Sequence, residues 1–172
     1  MTDFTSTFRR TTYPKITPIE NPQDGKVVLV TGSSEGIGYN IANAFTEARA
    51  ATVILVSRSQ VKLDAAVAKL AKRHPGTKLV SRVCDISSST NVQDLFPSLA
   101  KEDIVVDVFL LNARATEQPK TNEETLSNLQ FAIGSNILLC EAFRTHPSPD
   151  GQPKCLINIS SAGMHCYPGM GE

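Results

Sequence analysis

The chain has 172 residues, with 17 Lys and Arg against 17 Asp and Glu, and 41% of its residues are hydrophobic. This length and apolar fraction suit one domain with a substantial core. The zero formal net charge argues against a nucleic-acid binder, which normally carries a basic excess. No stretch approaches about 18 uncharged apolar residues, so the sequence predicts no membrane span.

The cysteines give a weak indication of the compartment. Cys84, Cys140, Cys155 and Cys166 show no metal-binding spacing, and Cys84 and Cys155 fall in predicted buried strands. Because no secretory segment is evident near the N-terminus, we expect reduced thiols in a cytoplasmic protein.

Residues 1–25 do not have the pattern of a core segment. They are Thr-rich, carry Arg9 and Arg10, and end in a stretch punctuated by prolines. We expect a loosely held arm lying on the domain. The paired arginines give it only a faint likeness to an organelle-targeting peptide. Residues 26–172 are expected to form one domain.

Apolar runs and helical periodicities alternate strictly from Lys26 onward. The runs predict five strands, at residues 27–30, 53–56, 79–84, 104–111 and 156–159. The first is a continuous apolar run, which is typical of a strand covered on both faces. Four helices are predicted between the strands, the second capped by Ser59. The fourth is predicted to begin at Asn122, with acids favouring its dipole. Its predicted buried stripe consists of Leu126, Leu129, Ile133, Ile137 and Cys140.

This alternation predicts the α/β class with a doubly wound parallel sheet. Right-handed crossovers give the strand order 3-2-1-4-5, which leaves the fifth strand as a bare edge. Because a bare edge invites pairing with another chain, we expect self-association or a partner chain.

A glycine-rich turn, T-G-S-S-E-G-I-G at residues 31–38, follows the first predicted strand directly. Its glycines permit a tight turn and a close approach of a pyrophosphate to the N-terminus of the next helix. Such a turn also occurs in ordinary loops. Between this strand and this helix, however, it predicts a dinucleotide-binding Rossmann domain.

At these residues the sequence resembles the short-chain dehydrogenase/reductase family. The turn at residues 31–38 is similar to the family's cofactor loop, and further matches follow in the family's order. They are Cys84-Asp85-Ile86 after the third strand, Leu111-Asn112-Ala113 at the end of the fourth, Asn136 in the fourth helix, and residues 157–161 ending in Ser161. The resemblance covers roughly residues 26–172, and the N-terminal arm is similar to that of fungal secondary-metabolism members.

The resemblance implies an NADP(H)-dependent oxidoreductase that moves a hydride to or from a carbonyl or alcohol carbon of a small molecule. It implies Asn136 and Ser161 as catalytic residues, the first holding a water in the proton relay and the second bonding the substrate carbonyl. It implies no metal. The residues implied in cofactor binding are Gly32, Ser34, Gly36, Ile37, Arg58, Asp85 and Asn112.

The side chains themselves agree with these roles but leave alternatives. Arg58 follows the second strand, where an acid would bind the ribose of NAD. Since no acid stands at position 57 or 58, the guanidinium suits a 2′-phosphate and favours NADP, although a solvated residue at a helix start is the alternative. Asp85 is equally well explained as a helix N-cap or an Asx-turn residue.

The proposed catalytic positions also have structural explanations. Asn136 falls on the predicted buried stripe, so a hydrogen-bonded core amide is the alternative. Ser161 follows a strand end, where open α/β sheets bind ligands, but could instead cap backbone groups at a loop start. His165 and Cys166 are assigned to a loop, because adjacent residues rarely face each other.

The sequence departs from the family in two places. Arg114 stands where the family has the glycine of its N-A-G motif, so its side chain must swing outward or obstruct the nicotinamide. The family's Tyr-x-x-x-Lys would begin just beyond Glu172. We therefore expect a truncated portion that is inactive alone and incomplete in its fold. The alternatives are a non-catalytic nucleotide-binding or regulatory module and another Rossmann enzyme, such as a methyltransferase.

Overall fold

The computed structural model describes residues 13–113, 120–148 and 151–159. A short 3-10 turn at Pro14–Ile16 precedes the first strand. The strands are β1 (Val27–Thr31), β2 (Thr52–Ser57), β3 (Lys78–Val83), β4 (Val108–Leu111) and β5 (Cys155–Asn158). The helices are α1 (Gly36–Glu47), α2 (Gln60–Arg73), α3 (Ser89–Ala100) and α4 (Asn122–Thr145).

The five strands form one parallel sheet in the order β3-β2-β1-β4-β5. This confirms the predicted doubly wound α/β fold and its strand order. From β1 the chain adds β2 and β3 on one side, and it then crosses back to place β4 on the other side of β1. A topological switch point therefore lies between β1 and β4. Ligands of open α/β sheets bind beside the carboxyl ends of the strands at such a point.

Among the described helices, two cover each face of the sheet. On one face, α1 and α2 pack through Ala42, Leu63 and Leu70. On the other face, α3 and α4 bring Phe96 and Phe143 against Phe109 of β4, with ring centroids 5.2 and 5.3 Å apart. Buried aromatic pairs at this spacing add to the stabilisation that comes from burial of their area.

Three of the described helices begin with a hydroxyl cap. Ser59 caps α2 as predicted, Ser88 caps α3 and Thr121 caps α4, each accepting a hydrogen bond from the backbone N–H three residues on. A cap of this kind satisfies one of the free donors at a helix start. Helix α1 differs, because its first flanking residue, Glu35, makes no cap hydrogen bond through its side chain.

The fourth strand is shorter than predicted. Pairing with β1 begins at Asp107, whose N–H donates to the Val27 carbonyl at 2.9 Å. Upstream of it, the Ile104 N–H donates to the Leu99 carbonyl at 3.0 Å and so closes the end of α3. The apolar run at 104–111 therefore contains a helix-closing turn as well as a strand, and a hydrophobic run alone does not separate the two.

The predicted buried stripe of α4 is wrong for most of its members. Leu126, Ile133 and Ile137 are exposed, while Cys140 is half-buried. The face turned to the sheet instead carries Ser135, Leu139 and Phe143. Residues 137 and 139 lie about 200° apart around a helix of 3.6 residues per turn, so α4 has two apolar faces. Periodicity identifies both faces but not which of them meets the sheet. The side chain of Leu129 lies outside the described residues.

Cys155 was predicted to lie in a buried strand, and this expectation is wrong, because β5 is exposed. Cys155, Leu156, Ile157 and Ile159 are all exposed. Among the described strands β5 pairs with β4 alone, so it forms the bare edge that the strand order predicts. Exposed strand edges are templates for pairing with another chain.

The two faces of α4 can be distinguished by a matched pair of substitutions. Leu139→Ala should lower the free energy of unfolding by about 2–5 kcal/mol, because it leaves a cavity beneath the helix. Ile137→Ala removes a side chain that is 62% exposed, and should cost about 0.5 kcal/mol or less. Urea unfolding followed by circular dichroism measures both. Equal losses would contradict this orientation of α4.

Candidate functional site

A cleft of about 620 Å³ lies at the carboxyl edge of the sheet. It is bordered by the loops that follow β1, β2, β3 and β4 and by the second turn of α4. Its volume falls within the range of small-molecule and cofactor sites. The residues predicted to bind a cofactor all line it: Gly32, Ser34, Gly36, Ile37, Arg58, Asp85 and Asn112.

Beneath the glycine loop, neighbouring atoms lie too close to leave space for a side chain at two of its glycines. A Cβ on Gly38 would lie 2.3 Å from the Gly32 carbonyl oxygen and 2.5 Å from Asn112 Nδ2. Gly32 has a φ of 66°, and a Cβ there would lie 2.9 Å from Ala113 Cα. Both positions therefore need glycine, the first for packing and the second also for its backbone angle.

Above the loop, the space is open. Gly36 has a φ of 61°, which favours glycine, yet a Cβ at this position would meet nothing within 4 Å. Gly36 is also the first residue of α1, whose N-terminus lacks a side-chain cap. The positive end of the α1 dipole and its first N–H groups thus lie at the cleft, an arrangement that favours an anion.

Thr31 and Asn112 fasten the ends of β1 and β4 together beneath the cleft. The Thr31 hydroxyl donates to the Leu110 carbonyl at 3.2 Å and accepts from the backbone N–H groups of Asn112 and Ala113. In return, Asn112 Nδ2 donates to the Thr31 carbonyl at 3.0 Å. Since strands β1 and β4 flank the switch point, these bonds fix the floor of the cleft.

Two serines of the loop connect it to β2, and sequence reasoning missed the first. The Ser33 hydroxyl donates to the Val30 carbonyl at 2.8 Å and accepts from the Val56 N–H at 2.9 Å, while its side chain is fully buried. The Ser34 hydroxyl donates to Ser57 Oγ at 3.0 Å at the cleft surface. A serine two residues after the end of a buried strand was the available signal for such a bond.

Charged side chains surround the mouth of the cleft near the end of β2. Arg58 is exposed and forms no ion pair with any described residue. Glu35 also lines the cleft, and its Oε1 accepts from Lys62 Nζ at 2.8 Å. This pair has no signal in the sequence, because positions 35 and 62 belong to different elements with no pattern linking them.

Asp85 is an Asx-turn residue, which agrees with one of its two structural explanations. Its Oδ1 accepts from the Ser87 N–H at 2.9 Å and from the Ser87 hydroxyl at 2.7 Å, whereas the N-cap of α3 is Ser88. The hydrogen bonds from Ser87 lower the pKa of Asp85, and Arg58 adds a smaller effect in the same direction. Asp85 is therefore a carboxylate, and it still lines the cleft.

Of the two predicted catalytic residues, Asn136 alone lies within the described residues. Asn136 is half-buried in α4, does not line the cleft and forms no side-chain hydrogen bond with a described residue. The hydrogen-bonded position is its neighbour Ser135, which is buried and donates to the Ile86 carbonyl. The alternative interpretation of Asn136 was a hydrogen-bonded core amide, but its side chain has no hydrogen-bond partner among the described residues. Ser161 and Arg114 lie outside the described residues.

Further residues of the cleft were missed by sequence reasoning. Ser127 and Asn128 of α4 also line it. Sequence reasoning assigned this helix a buried stripe and the candidate Asn136, and the polarity of Ser127 and Asn128 alone gave no further signal. Cys84 also lines the cleft, but burial raises the pKa of its thiol to about 11, so it is a neutral packing residue at physiological pH.

The described residues contain neither a metal-binding cluster nor a membrane-spanning helix. Within residues 13–113, 120–148 and 151–159, no group of three or more His, Cys, Asp or Glu side chains could hold a metal ion. None of the described helices is long and apolar enough to cross a membrane.

Comparison with protein families decides the classification. Residues 26–169 match the family described as short chain dehydrogenase. The chain belongs to this family. The match begins one residue before β1 and therefore includes the glycine loop and every described residue of the cleft.

Individual relatives agree. The chain is 32% identical over 163 residues to the short chain dehydrogenase/reductase AacuD of Aspergillus aculeatus, covering 92% of this chain and 56% of that protein. It is 31% identical over 148 residues to nsrO of Aspergillus novofumigatus, covering 83% and 50%. Both relatives come from Aspergillus, in line with the fungal resemblance of the sequence. The chain spans about half the length of these relatives.

A solved structure supports the same fold. A short chain dehydrogenase from Mycobacterium smegmatis superposes with a TM-score of 0.72 at 25% identity, covering 83% of this chain and 60% of that one. The doubly wound architecture is therefore that of the family.

The close packing of the glycine loop can be tested with two glycines. Gly38→Ala should destabilise the protein by roughly 1–3 kcal/mol, because its Cβ would overlap backbone and Asn112 atoms. Gly134→Ala, where a Cβ meets nothing within 4 Å inside α4, should stabilise it by about 0.5–1 kcal/mol. Thermal unfolding measures both changes. A neutral Gly38→Ala would refute the close approach.

Proposed function

We propose that the chain binds NADP(H) in the cleft and is the cofactor-binding portion of a family oxidoreductase. The observation that carries the proposal is the uncapped N-terminus of α1. Helices α2, α3 and α4 each satisfy a first-turn donor with their own hydroxyl, while α1 leaves its donors facing the cleft. A dinucleotide pyrophosphate is the anion that this arrangement accepts in Rossmann folds.

The residues present fit such a cofactor. Gly36 leaves space for the pyrophosphate because it has no side chain. Ile37, the next residue, is an exposed apolar residue of the cleft wall. Asp85 offers a second carboxylate oxygen beyond the one that Ser87 occupies, suitable for an adenine amino group. Asn112 donates to Thr31 through its backbone N–H and its side-chain Nδ2, so the two residues hold the floor on which the nicotinamide half would lie.

Arg58 is the proposed determinant of the NADP preference. It lies at the end of β2, lines the cleft and forms no ion pair with a described residue. A guanidinium binds a phosphate through two parallel hydrogen bonds, which a ribose hydroxyl cannot reproduce. The absence of an acid at 57 and 58 removes the usual partner of the NAD ribose.

The proposed reaction is the family's. A bound nicotinamide exchanges a hydride with a carbonyl or alcohol carbon of a small-molecule substrate. Ser161 is proposed to donate a hydrogen bond to the substrate oxygen and so stabilise its developing charge. Asn136, half-buried and free of described hydrogen-bond partners, is proposed to hold a water of the proton relay. The wider setting proposed from the sequence is cytoplasmic and fungal secondary metabolism.

Replacement of Arg58 tests the cofactor preference. Arg58→Ala should weaken NADP(H) by roughly tenfold or more and leave NAD(H) nearly unchanged, because it removes a charge-assisted pair worth about 1.5–3 kcal/mol. Arg73→Ala, which removes an exposed arginine from the far end of α2, serves as the control. Nicotinamide fluorescence titrations give both constants. Equal affinity of the wild-type chain for the two cofactors would overturn the preference.

The activity of the 172-residue polypeptide provides another test. None of its three tyrosines, Tyr13, Tyr39 and Tyr167, is followed by lysine four residues on. A proton donor near the carbonyl oxygen is typically worth about 10²–10⁴-fold. We therefore expect binding of NADPH without its oxidation by this polypeptide, and oxidation by a version extended through Tyr-x-x-x-Lys. Turnover by the unextended polypeptide would contradict the family mechanism.

The exposed apolar surfaces of β5 and α4 allow the association state of the 172-residue polypeptide to be tested as well. The bare edge of β5 is proposed to pair with another polypeptide segment or with a second copy. Sedimentation velocity should show association of the 172-residue polypeptide, driven by exposed side chains such as Leu156 and Ile137. A 172-residue polypeptide that sediments as a monomer and unfolds cooperatively would argue against this part of the proposal.

A further inference from the structure

The loop after β3, residues 84–88, is fastened to α4 by a buried hydroxyl. Ser135 donates from its side chain to the Ile86 carbonyl, across 49 positions of the chain. Both residues are buried, each with 8% of its surface exposed. Ile86 lines the cleft, as does Asp85 before it, whereas Ser135 lies behind them. The bond therefore connects the inner face of α4 to one wall of the cleft.

This hydrogen bond differs from those of other hydroxyls in the described helices. Thr46, Ser98 and Thr145 each donate to a carbonyl three or four residues earlier in their own helix. That carbonyl is the usual local partner of a hydroxyl inside a helix. Ser135 donates instead to a different element, so its hydroxyl joins two segments that are distant in the chain.

The Ile86 carbonyl needs this donor because it lies beyond the sheet. The pairing of β3 with β2 ends at Val83, and the Cys84 N–H makes the last bond across, to the Ser57 carbonyl at 3.0 Å. Among the described residues, the Ile86 carbonyl accepts from Ser135 and from no backbone N–H. A buried carbonyl that loses its donor is unfavourable, so without the hydroxyl the loop should shift until water or another donor reaches it.

The internal hydrogen bonds of the loop fix its shape but not its place. Asp85 Oδ1 accepts from the N–H and the hydroxyl of Ser87, and the Ser88 N–H donates to the Asp85 carbonyl at 3.0 Å. Because these bonds all lie within residues 85–88, they would move together with the loop. The bond from Ser135 holds the loop from outside, at the residue next to Asp85.

We propose that Ser135 is a positioning residue for the adenine half of the cofactor. The inference rests on the proposed function, in which Asp85 offers a carboxylate oxygen to the adenine amino group. Ser135 acts through Ile86, by holding the loop that presents Asp85 to the cleft. The nicotinamide half is proposed to lie on the floor that Thr31 and Asn112 fasten between β1 and β4. Its binding should therefore not depend on Ser135.

Cofactor fragments separate the two halves. Ser135→Ala should weaken NADPH and 2′-phospho-ADP-ribose, which lacks the nicotinamide, by roughly three- to tenfold, because it removes the donor of a buried carbonyl. Reduced nicotinamide mononucleotide should change by less than about twofold. Calorimetry gives the constant for the adenine fragment, and nicotinamide fluorescence gives the other two, all with the full chain.

Two further variants show that the hydroxyl of Ser135 is responsible. Thr46→Val is the matched control, because it also removes a buried hydroxyl that donates to a carbonyl, at 2.7 Å, but within α1 and outside the cleft. It should leave all three constants unchanged. Ser135→Thr keeps a hydroxyl at the same position and should bind the adenine fragment more tightly than Ser135→Ala does.

Amide hydrogen exchange tests the same bond without any cofactor. The amides of Ser87 and Ser88, which are hydrogen-bonded inside the loop, should exchange roughly threefold faster or more in Ser135→Ala, since the loop is released from α4. Thr46→Val should leave their exchange unchanged.

The outcomes separate this inference from the proposed function. If the wild-type chain binds neither NADPH nor the adenine fragment, the proposed function fails and the inference falls with it. If it binds both, but Ser135→Ala matches Thr46→Val, the inference alone is overturned. Equal weakening of the two cofactor halves also overturns it, as does a folded Ser135→Thr that binds as weakly as Ser135→Ala. Thermal melts establish that each variant is folded. Ser135→Cys, with a weak donor of similar size, takes the place of Ser135→Ala if that variant does not fold.

Discussion

The close approach of α1 to the end of β4 is the contact on which the cleft depends. Gly38 packs against the Gly32 carbonyl and the Asn112 amide with no space for a methyl group. The same amide bonds the Thr31 carbonyl, and the Thr31 hydroxyl bonds the backbone beyond β4. Any side chain at position 38 would push the helix away from the switch point. The loop is therefore tight underneath and open above, which is the shape that an anion-binding turn requires.

The electrostatics of the cleft follow from this packing. Because the first turn of α1 is pressed toward the strands, its N-terminus faces the cleft without a side-chain cap. The neighbouring helices have hydroxyl caps and offer fewer free donors. At the rim, Arg58 is unpaired among the described residues, while Lys62 is held by Glu35. The uncapped helix start thus favours an anion in the cleft, and charged side chains of both signs lie at its rim.

Helix α4 contributes to three surfaces of the fold. Its inner face, with Leu139 and Phe143, completes the aromatic core above β4. Its second turn reaches the cleft through Asn128, and its outer face exposes Ile133 and Ile137. The outer face and the edge of β5 are two apolar surfaces that the described residues leave uncovered. A helix with apolar residues on opposite sides suits a position between a core and a second layer.

The alternation of strands and helices, the Ser59 cap and the glycine loop could all be predicted from the sequence, because each depends on residues adjacent in the chain. The handedness of crossovers then predicts the strand order without further information. The buried face of α4, the role of Ser33 and the pairing of Glu35 with Lys62 emerge only when the chain is folded. Periodicity fixes the angles between side chains around one helix, but only its packing on the sheet fixes which side points inward. Contacts between distant segments arise when the crossovers bring their ends together, and no local pattern encodes them.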